Sequence, residues 1–313
     1  MNKTVPVAAT IALSSWLAAA QPFAFVPNEG SGSISILDVA SDAVVGEIAT
    51  GGKPRGIAAR AGDSRIFVTE QSGNRVLVID ASKRERVGEI ALGASPEGAS
   101  ASADGRWIAV ASEEANEVVL LEASTGKEAA RIRTEGKNPE HAVFSPDGHW
   151  LLVSAEDAAQ VDVVDVAQRR QVGAIAVGKR PRGIGFLPDG RTAYVGCELD
   201  HAAWVVDVVA RKAVKRIPTG EFANGIAVAP DGARVYVSNG RDASVSVIDT
   251  ARMEVVARIP VGQRPWNMAI TRDGRKLYVA NGRSNSVSVI DTAQGKVVKE
   301  IAVGQRPWGV AIP

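Results

Sequence analysis

The side chains of this chain with the most chemical potential recur at one spacing. After the proline that follows each VGxx-like stretch stand, in order, Arg55, Glu97, Glu140, Arg182, Asn224, Trp266 and Trp308, with Ala223 replacing the proline before Asn224. The next position is glycine five times, but His141 and Asn267 break the run. Two guanidiniums can grip carboxylates through paired hydrogen bonds while two indoles stack on a planar body. Glu97, Glu140, Asn224 and Asn267 offer the oxygen ligands that a hard divalent cation takes. His141 offers an imidazole for an axial metal or haem position, although a lone histidine reads more simply as a hydrogen-bonded polar group. The plainest account of the set is mutual satisfaction: two Arg–Glu pairs fix the spacing of the elements that carry them, and the indoles pack between those elements.

Other reactive types read as structural. Cys197 is the only cysteine and stands beside Glu198, an acid neighbour that raises a thiol pKa. No GxSxG elbow, Walker loop or GxGxxG turn occurs. His149 falls in a PDGHW hairpin and His201 in a loop, both read as solvated. Trp107 and Trp150 share one register at a strand start, and Trp204 lies mid-strand.

The spacing itself dictates the elements. Asp38, Asp80, Glu122, Asp165, Asp207, Asp249 and Asp291 step by 42, 42, 43, 42, 42 and 42 residues, and the prolines repeat that register. Within a unit, VYVSN and SVSVIDT alternate in period two, VVARIPV and WNMAIT follow, and RDGRK, NGRSN, TAQGK and VGQRP supply turn chemistry. Four short antiparallel strands in about 42 residues make one propeller blade. The fold expected is therefore an all-β, seven-bladed propeller occupying residues 21–313 as one domain. Its ends support closure: the repeat opens on a second strand at Phe23 and stops after an innermost strand at Gly309–Ile312. Pairing the last strand with the first three completes a ring without open sheet edges.

In that ring the turns leading into the inner strands gather at one channel mouth, so Arg55, Arg182, Trp266 and Trp308 form a candidate recognition surface with Glu97 and Glu140 positioning the arginines. The loops after the second strands share this face. They carry Glu113-Glu114, Glu156-Asp157 and Glu198 with Asp200 on one side, and Arg241 and Arg283 on the other. Such charges read as solvated, or as an acidic crescent beside a basic edge that orients a partner protein.

The first twenty residues differ from the rest. Lys3 precedes an apolar run from Val5 to Leu17, and Ala18-Ala19-Ala20 offers a signal-peptidase site before Gln21. The run is too short for a membrane span, and no other segment suits one. Without Lys3 the basic and acidic residues balance at 35 each, which argues against bulk attraction for nucleic acid. A periplasmic, monomeric protein is the expectation.

The run from VYVSNGRDASVSVIDT through the terminal VGQRPWGVAIP, with the PNEGSGSISILD opening, resembles the YVTN-repeat β-propellers over residues 22–313. More narrowly, it is similar to the subfamily associated with pyrroloquinoline-quinone (PQQ)-dependent alcohol catabolism, including its arginine, glutamate and tryptophan positions. The FAN context of Asn224 departs from that pattern. The resemblance implies a non-enzymatic accessory or binding propeller, with a periplasmic quinoprotein dehydrogenase or its cytochrome as partner and PQQ, an aromatic polyacid, as a ligand the mouth would suit. The alternative is a propeller enzyme of lactonase-like or haem-dependent type, with its site in the central channel.

Overall fold

The computed structural model describes residues 23–59 and 64–313. The expected export signal and the expected cut before Gln21 lie outside the described residues.

Twenty-seven named strands build seven antiparallel sheets, six of four strands and one of three. Blade 1 holds β1 (Phe23–Asn28), β2 (Ser33–Asp38) and β3 (Ala43–Ala49). Blades 2 to 7 begin with the inner strands β4 (Pro54–Ala59), β8 (Pro96–Ala101), β12 (Pro139–Phe144), β16 (Pro181–Phe186), β20 (Ala223–Val228) and β24 (Pro265–Ile270). The expected closure is present. Phe25 and Ala311 exchange backbone hydrogen bonds of 2.9 and 3.0 Å, and the Trp308 amide donates to the Pro27 carbonyl at 2.9 Å. The closing segment 307–311 pairs through isolated bridges, Phe25 with Ala311 and Asn28 with Pro307, and so completes blade 1 less regularly than the inner strands complete theirs.

The second and third strands of each blade are rich in valine and isoleucine and buried on both faces, because each sheet is sandwiched between two others. Seven apolar clusters result, one between each pair of adjacent blades. Ala24, Val26 and Leu37 of blade 1, for example, pack with Tyr278, Val287 and Val289 of blade 7. The Tyr278 hydroxyl donates to Asp42, and Lys276 Nζ reaches Asp42 at 2.7 Å, so polar contacts join the same seam.

Each repeat marker has a local cause. The acid ending the third strand accepts amide hydrogen bonds from the following turn, as Asp38 does from Ala40 and Ser41 at 2.7 and 3.0 Å. The proline opens the inner strand, where no ladder donor is lost. Between that proline and the fourth residue the pairing register slips, as between Pro54 and Ile57, so a bulge sits at the second and third positions of every inner strand β4 to β24. A bulge re-aims side chains. Here it turns the variable residues toward the channel mouth.

Deleting residues 309–313 removes the Phe25–Ala311 bonds and the buried Val310 and Ala311. The melting temperature should fall by on the order of 10 °C, with association through the uncovered β1 edge. A monomeric truncation with unchanged melting temperature would contradict ring closure as a source of stability.

Candidate functional site

Three sets of equivalent positions surround the mouth. The first is the bulged residue of each inner strand: Arg55, Glu97, Glu140, Arg182, Asn224, Trp266 and, in the closing segment, Trp308. The second is the residue that follows each second strand, in blade order Glu29, Gln71, Glu113, Glu156, Glu198, Gly240 and Gly282. The third immediately precedes the inner strand: Lys53, Ser95, Asn138, Arg180, Phe222, Arg264 and Arg306. From Ser95 onward all six of these last residues adopt positive φ, between 41° and 61°.

Both inner arginines are held by carboxylates. Arg55 bonds Glu97 of the next blade, 42 residues on, and reaches Glu29 at 3.2 Å. Arg182 meets three carboxylates: Glu140 at 2.7 Å, Glu156 at 2.5 Å and Glu198 at 3.0 Å. Glu198, only 1% exposed, in turn receives Arg264 at 2.7 Å and Arg180 at 3.3 Å. The expected Arg–Glu pairs are therefore present, and they belong to two networks: Glu29, Arg55 and Glu97 join blades 1 to 3, and Glu140, Glu156, Arg182, Glu198 and Arg264 form a lattice joining blades 4, 5 and 7. Glu156 and Glu198 are buried members of that lattice, so reading them as solvated loop charges or as an exposed crescent is corrected. They are drawn inward because a guanidinium is the only compensation available to a carboxylate at that depth.

Glycine at the third inner-strand position is a packing requirement. A Cβ at Gly56 would stand 2.2 Å from the Glu97 carbonyl oxygen, because inner strands crowd at the axis. The two exceptions occupy the channel. His141 reaches across to Trp308, the rings stacked with centroids 5.3 Å apart and planes 18° from parallel. Neither imidazole nitrogen completes a hydrogen bond of ordinary geometry, and burial pushes its pKa down. The histidine expected as a polar group is stacked on Trp308, with Asn267 as its polar neighbour. Asn267 donates Nδ2 to the Trp308 carbonyl at 3.3 Å, and with His141 and Trp308 it lines a channel cavity of about 130 Å³. Above it, a bowl of about 220 Å³ brings together Arg55, Glu140, Arg182, Asn224, Trp266, Asn267 and Trp308.

The mouth is electrostatically divided. At blades 6 and 7 the acid of the second set becomes glycine, and its space is taken by basic and aromatic groups. A Cβ at Gly240 would lie 3.1 Å from Arg264 Nη1, and one at Gly282 would lie 2.7 Å from the Trp266 ring. The result is a depression of about 570 Å³ lined by Arg180, Arg264, Arg283 and Arg306, with Phe222 and Trp266 as aromatic surfaces and Glu198 as its acid. Sequence reasoning missed Arg180, Arg264 and Arg306, although their shared place directly before the repeating proline was available as a signal. Away from the mouth, Cys197 is fully buried and its thiol is pushed up to about 12 by burial. His149 is exposed, while His201 accepts the Phe222 amide hydrogen bond at 3.1 Å.

Arg182→Ala would strand the buried Glu140 and leave Glu156 and Glu198 to Arg180 and Arg264, and should cost about 3–5 kcal/mol of stability. A denaturation midpoint within error of wild type would contradict the lattice. Glu97 supplies a pH test. Burial and then the charge of Glu140 raise its pKa to about 8 against the pull of Arg55. The folded state therefore holds a proton that the unfolded chain has released, and stability falls as pH rises from about 4.5 through 8. Glu97→Gln should flatten the melting-temperature profile across that window; an unchanged slope would show that Glu97 is not the titrating group.

Comparison with known proteins agrees with this architecture. No curated protein sequence matches the chain. Among solved structures, Kuenenia stuttgartiensis hydrazine synthase is similar at 23% identity and TM-score 0.78, covering 86% of this chain and 92% of that one. A functionally unknown protein from Desulfotomaculum acetoxidans superposes at TM-score 0.82 with 18% identity, covering 93% and 98%. The dihydro-heme d1 dehydrogenase NirN does so at 0.71 with 18% identity, covering 93% and 75%. At such identities the likeness is one of fold. The family model described as YNCE-like beta-propeller matches residues 8–191 and again 185–312, and the chain belongs to that family.

Proposed function

We propose that this chain is a non-enzymatic binding propeller, exported to the periplasm, that serves a PQQ-dependent alcohol oxidation system by capturing a carboxylate-bearing planar ligand at the arginine-rich side of its mouth. One observation carries the binding site: four guanidiniums surround a depression of about 570 Å³ against a single buried carboxylate, with Trp266 and Phe222 beside them. Guanidiniums bind carboxylates through paired hydrogen bonds, and flat aromatic bodies stack on indole. PQQ has both features. The link to quinoprotein oxidation and to the periplasm rests on the sequence resemblance and the N-terminal signal pattern.

This reading moves the recognition surface. Arg55 and Arg182 hold the scaffold, whereas Arg283 and Arg306 are exposed, and the nearest carboxylate contact of Arg306 is Glu29 at 3.9 Å. A non-enzymatic role fits the state of the reactive groups. The Cys197 thiol is sealed and kept protonated, and the His141 ring is stacked in the channel. An enzyme would need such groups accessible and poised.

The test is calorimetric titration of the protein with PQQ. Arg283→Ala/Arg306→Ala should weaken binding by about ten- to a hundredfold, because charged hydrogen bonds at a rim are partly screened. Its melting temperature should stay near wild type. Absence of PQQ binding, or equal affinity in wild type and variant, would contradict the reading. Retention of a dehydrogenase subunit without PQQ binding would replace the small ligand with a protein partner.

A further inference from the structure

The hairpins that follow the second strands each place one residue at positive φ: Gly32, Asn74, Asn116, Ala159, His201, Ala243 and Asn285, between 50° and 61°. Asparagine suits that conformation because its short polar side chain bonds locally. In blades 2, 3 and 7 the asparagine Oδ1 accepts the backbone amide that leads into the next blade, from Ser95, Asn138 and Arg306, each at 2.9 Å. In blade 5 His201 takes the asparagine's place, and its Nδ1 accepts the Phe222 amide at 3.1 Å. An amide oxygen stays an acceptor at any ordinary pH. An imidazole nitrogen does not, and imidazole is the side chain that changes charge between about pH 5 and 8.

The cap holds a costly conformation. Phe222 has a φ of 61°, which a bulky side chain adopts only where its surroundings fix it. Its ring is an aromatic wall of the arginine-rich depression. The His201 ring stacks on it, with centroids 5.7 Å apart and planes 23° from parallel. Arg264 and Arg241 lie over the same ring at 5.3 and 5.7 Å. Protonation would make Nδ1 a donor facing the Phe222 N–H, itself a donor, and would set a third cation against this ring. The acids around the contact already have donors. Asp200 takes Trp204 Nε1 at 2.7 Å and Arg216 at 2.9 Å, and Glu198 takes Arg264. Glu221 pairs with Arg241 at 3.2 Å, and Asp242 accepts the Glu221 amide at 2.7 Å. His201 itself is exposed, so the attraction its added charge would exert on an anion is screened by solvent. Loss of the cap is then the larger effect.

We propose that His201 is a pH-sensitive cap on the aromatic wall of the arginine-rich depression. Neutral, it fixes Phe222 for stacking on a ligand; protonated, it releases the Phe222 amide and lowers affinity. The effect on affinity rests on the ligand reading above, whereas the cap itself does not.

His201→Asn in the full chain installs the cap that blades 2, 3 and 7 use, so it should fold with a melting temperature near wild type. Amide NMR follows the Phe222 N–H as the pH is lowered from about 7.5 to about 5. In the wild-type chain that signal should move together with the His201 ring signals, and in His201→Asn it should stay in place. A Phe222 amide indifferent to the titration of His201 would overturn the cap. PQQ, titrated calorimetrically at both ends of the range, should lose about two- to tenfold more affinity in the wild-type chain than in His201→Asn, the worth of one hydrogen bond. Equal losses in the two chains would overturn control of the site. PQQ binding to neither chain would overturn the ligand reading and with it the effect on affinity, while the amide signals still decide the cap.

Discussion

The contact between Arg182 and Glu198 organises the mouth of this propeller. Arg182 is bound by three carboxylates and Glu198 by three guanidiniums, and both lie where water cannot compensate a lone charge. Each ion makes its neighbours tolerable, so the members of this lattice are energetically coupled. Its geometry comes from the repeat. Arg55 and Glu97 are 42 residues apart, as are Glu140 and Arg182, so one repeat period becomes one step between neighbouring blades at the axis. Opposite charges one period apart are thereby set side by side. The apolar seams between blades hold the ring together, and the lattice fixes how its mouth is charged.

That fixed frame turns small departures from the repeat into differences of charge and shape around the mouth. Acid at the residue after the second strand keeps the arginines of blades 2 and 5 occupied. Glycine at the same place in blades 6 and 7 leaves Arg264 and Trp266 room to lie inward, and beside them Arg283 and Arg306 keep much of their charge available. Carboxylates therefore gather at blades 3 and 4 of the mouth, and guanidiniums beside blades 6 and 7. The channel between them is crossed by the His141–Trp308 stack, which ties blade 4 to blade 1.

The fold was legible because it depends on quantities that a sequence displays: a 42-residue period, alternation within strands, and turn residues between them. The inner-strand set was legible as departures from a uniform background, from Arg55 to Trp308. The second set was harder to read. Glu29, Glu113, Glu156 and Glu198 follow the same register, yet each sits in a turn-like segment where charge is ordinarily solvated. Their burial depends on the neighbouring blade, which local composition does not reveal. The stacking of His141 was hidden for a similar reason, since Trp308 lies 167 positions away in sequence.

The central claim is that the exchange of acid for glycine divides the mouth, and restoring one acid tests it directly. Gly240→Glu places a carboxylate against Arg264, as Glu198 does in blade 5. The quantity to measure is the dissociation constant for PQQ by calorimetry, with the melting temperature recorded as a check on folding. The account predicts affinity at least about tenfold weaker in a folded protein, since one charged contact is worth roughly 1.5–3 kcal/mol. Wild-type affinity in that variant would contradict it.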